Sequence, residues 1–217
     1  MIILAQRIFI TATNTDIGKT YATKRLIKAF SSLGYRVGVF KPIETGVLDQ
    51  PLDGTELLTT VQQYNPAFKA LSVNDIVPIQ FQLPAAPYIA NQTKPINFER
   101  IESALEKIEP LCDILLIEGA GGLLVPLDQE NMVIDLIKRF EAKVLLVSHC
   151  RLGCINDTLL NLTLLKQAGL TYNWALNCKS DDTDFKEISE PYFADHFPDY
   201  YELSRDIKKL ATSLLNL

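Results

Sequence analysis

The sequence predicts an α/β protein, a doubly wound and mostly parallel sheet formed by a single domain over residues 1–217. Three observations lead there. Stretches rich in Ile, Val and Leu at 7–12, 36–40, 114–117, 144–148 and 175–177 alternate with segments of helical period, and unbroken apolar strands between helices belong to parallel sheets covered on both faces. At 217 residues and 47% hydrophobic, with no run of Gly or Pro, the chain can bury one core and offers no linker. Polar residues follow the strands directly, at the carboxyl edge where ligands gather in such sheets.

Taken in order, the first strand runs into Thr13-Asn14-Thr15-Asp16-Ile17-Gly18-Lys19-Thr20, and a helix is predicted over 19–33. Strand, short turn and Gly-Lys-Thr opening a helix make a triphosphate cradle, because backbone N–H groups and the positive helix end both face the phosphates. The sheet is therefore expected to be of the phosphate-loop NTPase type. Lys19 would reach the β and γ phosphates, and the Thr20 hydroxyl would ligate Mg²⁺. The first glycine of the usual spacing is missing: Thr13 stands there, with Ala12 before it. The second strand ends at Lys41-Pro42, and Pro42 biases Lys41 toward extended backbone, which leaves the lysine beside the phosphate turn. Asp53, ahead of a helical stretch, reads either as a helix N-cap or as a Mg²⁺ carboxylate. After a helix at 97–108, the strand 114–117 ends in Glu118, a carboxylate suited to Mg²⁺, and Gly119-Ala120-Gly121-Gly122 lets backbone approach a ligand closely. Helices at 131–140 and 155–168 follow, the second with Gly169 as its C-cap. Ile207, Leu210, Ala211 and Leu214 recur at helical spacing near the end.

Composition narrows the function. A net charge of −5 without a Lys/Arg cluster argues against a nucleic-acid partner. No stretch is long and apolar enough to span a membrane, and Met1-Ile2-Ile3-Leu4 is too short for a signal-peptide core. The four cysteines, Cys112, Cys150, Cys154 and Cys178, form no C-x-x-C pair and read as reduced, buried thiols of a cytoplasmic protein. His149, Cys150 and Cys154 have no second ligand pair with zinc spacing. Neither His149 nor His196 has a carboxylate at recognisable triad spacing. The aromatic group Tyr192, Phe193, Phe197, Tyr200 and Tyr201 reads as packing against the sheet.

Together, the phosphate turn at 13–20, Lys41-Pro42 with Thr45-Gly46, Glu118-Gly119-Ala120-Gly121-Gly122 and Leu152-Gly153-Cys154-Ile155-Asn156 resemble dethiobiotin synthetase, over most of the chain. The last stretch is the most specific, since nothing in phosphate binding demands Gly-Cys-Ile-Asn. The resemblance implies ATP-dependent ring closure of 7,8-diaminononanoate with CO₂, using Mg²⁺. Under it Lys41, Lys19 and Thr15 are catalytic; Asn14, Thr15, Asp16, Ile17, Gly18, Lys19, Thr20 and Asn177 bind the nucleotide, Asn177 reading the base. Thr45, Gly119, Gly121, Gly122, Gly153 and Asn156 bind substrate, and Thr20, Asp53 and Glu118 hold Mg²⁺. It also implies a homodimer with substrate across the interface, Asn156 reaching it from the neighbouring subunit.

The chain departs from the family at Ala12 in place of a glycine, Asp16 in place of a glutamate, and Thr45 in place of a serine; the acidic stretch around Asp181, Asp182 and Asp184 matches no family loop. Two alternatives share the fold. A switch ATPase of the partitioning or division-site type would use the last helix, with Lys208 and Lys209, at a membrane surface, but its phosphate loop carries an early second lysine that is absent here. An amide-forming ligase of the cobyrinic acid type would need a glutamine-hydrolysing domain for which this length leaves no room. The segment 83–88 resembles a loop lining the substrate site, and reads equally as a structural turn.

Overall fold

A computed structural model describes residues 5–180 and 182–217; the expectations for Met1–Leu4 and Asp181 lie outside these. Its order is β1 (Gln6–Ala12), α1 (Lys19–Ser32), β2 (Val37–Phe40), β3 (Ile43–Thr45), α2 (Leu52–Val61), α3 (Val73–Ile76), β4 (Ile79–Phe81), α4 (Pro87–Ala90), α5 (Phe98–Ile108), β5 (Ile114–Glu118), α6 (Val133–Arg139), β6 (Lys143–His149), α7 (Cys154–Gln167), β7 (Tyr172–Asn177), α8 (Phe185–Ile188), α9 (Glu190–His196), β8 (Tyr201–Glu202) and α10 (Leu203–Leu215).

Six strands form the sheet in the order β2-β5-β1-β6-β7-β8, every pair parallel. β1 sits inside the sheet: its Ile8, Phe9, Ile10 and Ala12 are fully buried between β5 and β6. Register then aligns the strand ends, with Ile10 opposite Glu118, Ala12 opposite Val147 and His149 opposite Asn177. The phosphate turn, Lys41, Glu118 and Asn177 thus emerge at one edge, and the chain reverses direction beside β1, where ligands bind in such sheets.

Helix α1 packs between α2 and α10, while α5 lies on β2 and α7 on β6. Gly169, at φ 68°, closes α7 as its C-terminal glycine. The stripe of α10 is used internally: Leu210, Ala211 and Leu214 are buried and Ile207 packs on the core, so the feature that favoured a membrane-surface helix is absorbed by packing. The short pair β3 and β4 and the two-residue β8 add to the elements expected from sequence, being too short to show periodicity.

The aromatic residues pack around Trp174 of β7, whose ring lies 5.5 Å from Phe193, 5.3 Å from Phe197 and 6.2 Å from Tyr200. Phe193 is fully buried. Phe193→Ala should therefore cost about 3–5 kcal/mol and lower the melting temperature by roughly 10 °C. Thermal unfolding checks this, and a shift within about 2 °C would remove the cluster from the core.

The cysteine reading needs correction. Cys112 and Cys154 are free and buried, but Cys150 and Cys178 form a disulfide, their Cα atoms 4.9 Å apart. They are 28 residues apart in the chain and meet because each follows the last paired residue of β6 or β7. Sequence spacing carries no sign of such a pairing.

Candidate active site

The phosphate turn is built by two residues in left-handed backbone, Asp16 at φ 58° and Gly18 at φ 108°. Aspartate tolerates this region better than most residues. Ala12 lies within β1 and outside that region, so the missing family glycine costs no strain. Asn14 Oδ1 accepts from the Thr15 N–H at 2.8 Å, and the Gly18 carbonyl accepts the first helical bond from Ala22 at 2.9 Å. From β7, Asn177 Nδ2 donates to the Ile17 carbonyl at 2.7 Å. A Cβ on Gly18 would stand 2.2 Å from that nitrogen, in a backbone conformation that disfavours side chains. Gly18→Ala is accordingly expected to displace Asn177, cost about 1–3 kcal/mol of stability and weaken ATP binding. Calorimetry with ATP would check it, and wild-type affinity would contradict the turn geometry.

Behind the turn lies a cluster of opposite charges. Lys41, 3% exposed, places Nζ 2.8 Å from Glu118 Oε1 and 3.1 Å from Asp53 Oδ2. Glu118 is fully buried and also accepts from Thr20 Oγ1 at 3.0 Å and Thr23 Oγ1 at 2.9 Å. It meets the cleft only through Lys41 and Thr20. Burial by itself would lower the Lys41 pKa, but Glu118 and Asp53 outweigh it and the net shift is upward, keeping the ammonium charged. Lys19, buried with Lys41 nearby, shifts downward, chiefly by desolvation despite the pull of Glu118. Desolvation opposes ionisation of Asp53, and Lys41 and Thr20 still bring its pKa below the ordinary value.

Asp53 is neither the N-cap of α2 nor adjacent to it; Pro51 holds that position and Asp53 lies in the first turn. The capping carboxylate is Glu44, accepting from the N–H groups of Asp53 at 3.0 Å and Gly54 at 2.9 Å. Desolvation dominates at Glu44 and raises its pKa despite Lys41 and these N–H groups. Glu44 and Thr23 were not singled out from sequence. Glu44 stands between Lys41-Pro42 and Thr45-Gly46, but its partner turn lies nine residues on.

These residues face a cleft of about 1370 Å³. Thr15, Asp16, Gly18, Lys19 and Thr20 of the phosphate turn line it, together with Lys41, Thr45, Asp53, Gly119, Gly121 and Asn177. Pro84–Pro87 of the segment read either as substrate loop or as turn also line it. Asn14, Ile17, Gly122, Gly153 and Asn156 do not. Ile17 is core, and a Cβ on Gly122 would lie 3.2 Å from the Ala12 carbonyl, so that glycine serves the close approach of two loops. Gly153 and Asn156 sit on the exposed entry to α7.

Two carboxylates and a hydroxyl converge here, all hard oxygen donors. Among the described residues no three His, Cys, Asp or Glu side chains form a metal cage. That combination suits Mg²⁺, which is held by one or two carboxylates with the remaining positions filled by phosphate and water. His149, contrary to expectation, has a carboxylate partner: Nε2 lies 3.0 Å from Asp157 Oδ2, a contact made by the fold between the end of β6 and the first turn of α7.

Fold and cleft define a phosphate-loop nucleotide-binding protein, and a family model described as an AAA domain matches residues 6–192. Among solved structures, the chain is similar to a MinC:MinD cell division protein complex of Aquifex aeolicus (TM-score 0.57, 17% identity, covering 98% of this chain and 97% of that one). It is also similar to a plasmid partition protein of Borrelia burgdorferi (TM-score 0.55, 11% identity, 98% and 96%). At such identities these show the fold alone. ATP-dependent dethiobiotin synthetases are far nearer in sequence: that of Sulfurovum sp. is 44% identical over 95% of this chain and 99% of its own. Those of Helicobacter pylori and Wolinella succinogenes are 37% and 34% identical, covering 85% and 96% of this chain and 87% and 98% of theirs. The chain belongs to the ATP-dependent dethiobiotin synthetase family, ligases that form a C–N bond.

Proposed function

We propose that the protein closes a cyclic urea in biotin biosynthesis. 7,8-Diaminononanoate and CO₂ form a carbamate; a carbamate oxygen attacks the γ-phosphorus of ATP; the second amine displaces phosphate from the carbamic-phosphoric anhydride, giving dethiobiotin, ADP and phosphate. The observation that carries this reading is the buried Lys41 ammonium, held between Glu118 and Asp53 at the back of the phosphate-loop cleft. Carbamate and triphosphate repel one another, and a fixed, water-shielded positive charge where they meet stabilises the transition state more than it would in water.

Lys19, at the first position of α1, would hold the β and γ phosphates with the turn N–H groups. Lys41 would take the carbamate and the transferring phosphoryl group, with Thr15 assisting. Thr20, Asp53 and Glu118 would hold Mg²⁺, which supplies charge neutralisation on the phosphates. Glu118 would act through water or after Lys41 turns toward substrate. Asp16 would face the amines, and Thr45, Gly119, Gly121 and Gly122 would shape the substrate pocket. Since the Asn177 amide nitrogen is committed to Ile17, its oxygen is left to read an amino group on the base.

Gly153 and Asn156 support a homodimer in this reading. They stand outside the cleft beside Leu152, which is 85% exposed, where a second copy would bring Asn156 to the substrate carboxylate. The compartment in this reading is the cytoplasm. The attacking atom is tested with ¹⁸O-bicarbonate: one labelled oxygen should appear in each phosphate released with ring product, and unlabelled phosphate would overturn the carbamate attack.

A further inference from the structure

The disulfide lies where two functional loops leave neighbouring strands. His149 and Asn177 are the last paired residues of β6 and β7, and the next residue of each is the cysteine. On one side of the bridge, Cys178, Lys179 and Ser180 form the end wall of the nucleotide cleft, next to the Asn177 that braces the phosphate turn. On the other, Cys150 lines a smaller cavity of about 240 Å³ with Phe185 and Ser189. Beyond Cys178 the chain is held locally, Lys179 N–H donating to Asp182 Oδ2 at 2.8 Å and Asp182 N–H to the Lys179 carbonyl at 3.1 Å, until Phe185 enters the core. The bridge is the covalent restraint on this wall.

We propose that Cys150 and Cys178 are a reversible modification site for low-molecular-weight disulfides, and that closing the bridge tightens the cleft for nucleotide. The two thiols differ in access: Cys178 is partly exposed, whereas Cys150 is 2% exposed. The Cys178 thiolate attacks one sulfur of RSSR, releasing RS⁻ and leaving a mixed disulfide on Cys178. The Cys150 thiolate then attacks the Cys178 sulfur and expels the second RS⁻. Two cysteines are oxidised by two electrons, one RSSR is reduced to two thiols, and the two protein protons end on them. Reduction by excess thiol runs the same steps backward. Closing the bridge fixes the backbone at Cys178 before nucleotide arrives, so that binding no longer carries the entropic cost of ordering that residue. Ordering one residue's backbone corresponds to roughly tenfold in affinity. This inference rests on ATP occupying the cleft between Lys19 and Asn177.

The test uses the full chain equilibrated over a range of reduced and oxidised glutathione. Differential alkylation with peptide mass mapping reads the bridge, and calorimetry with Mg²⁺-ATP reads affinity. The expected result is a Cys150–Cys178 linkage that forms and reverses with the thiol ratio, with the oxidised protein binding ATP about tenfold more tightly. Cys178→Ser and Cys150→Ser should both stay at the reduced protein's affinity under every condition. Absence of the linkage, equal affinity in both states, or a redox response that survives in both variants would each overturn the proposal. A bridge that forms in protein binding no ATP in either state would instead overturn the nucleotide assignment of the cleft, and the latch with it.

Discussion

Lys41→Ala is expected to lower turnover by about two orders of magnitude or more while ATP affinity stays largely unchanged. The ammonium is fixed by Glu118 at 2.8 Å and Asp53 at 3.1 Å and is almost wholly shielded from solvent. A charge held in that way needs no reorganisation when negative charge develops, and its loss falls on the transition state more than on bound nucleotide. A second consequence follows from burial. Without Lys41, the fully buried Glu118 would keep hydrogen bonds only from the Thr20 and Thr23 hydroxyls, with Lys19 acting on it through space. Leaving a buried carboxylate without its cation costs about 3–5 kcal/mol, so the variant should also melt earlier. Adding Glu118→Gln to Lys41→Ala should recover much of the stability and none of the turnover, because the amide oxygen can accept from one threonine hydroxyl while its NH2 donates to the other, Thr23 keeping its own donor for the Lys19 carbonyl. Steady-state rates beside ATP titrations separate the two effects; unchanged turnover in Lys41→Ala would remove this residue from the mechanism.

The second large effect is expected at Lys19. Its ammonium is 8% exposed at the opening of α1, and burial pushes its pKa down. A triphosphate would supply directly the counter-charge this lysine now feels only through space from Glu118, Asp53 and Asp16. Lys19→Ala should therefore weaken ATP binding by roughly tenfold to a hundredfold, the range for losing a hydrogen bond to a charged group. The loss should be larger for ATP than for AMP, which lacks the phosphates Lys19 would reach. Undiminished ATP affinity would count against the phosphate-loop assignment.

Much of this arrangement was legible in the residues. Apolar strands followed at once by polar groups place Lys19, Lys41, Glu118 and Asn177 at one sheet edge, because parallel register aligns strand ends whatever the loops between them do. What could not be read depends on contacts between distant segments. Glu44 caps a helix that begins eight residues later, and its role shows only once β3 and α2 are set side by side. Asp53, which its position before a helical run suggests as a cap, falls inside the first turn because Pro51 takes the N-cap position. The Asn177 amide is spent on Ile17 across 160 residues. The Cys150–Cys178 and His149–Asp157 pairs both arise at the ends of β6 and β7 or the turn beyond, and no local pattern announces either.

The most direct measurement is phosphate release from ATP and Mg²⁺ with bicarbonate, with and without 7,8-diaminononanoate, while product is followed by mass. Release that depends strictly on the diamine and is matched by dethiobiotin is the predicted result. Slow hydrolysis indifferent to the diamine, with no ring product, would contradict it.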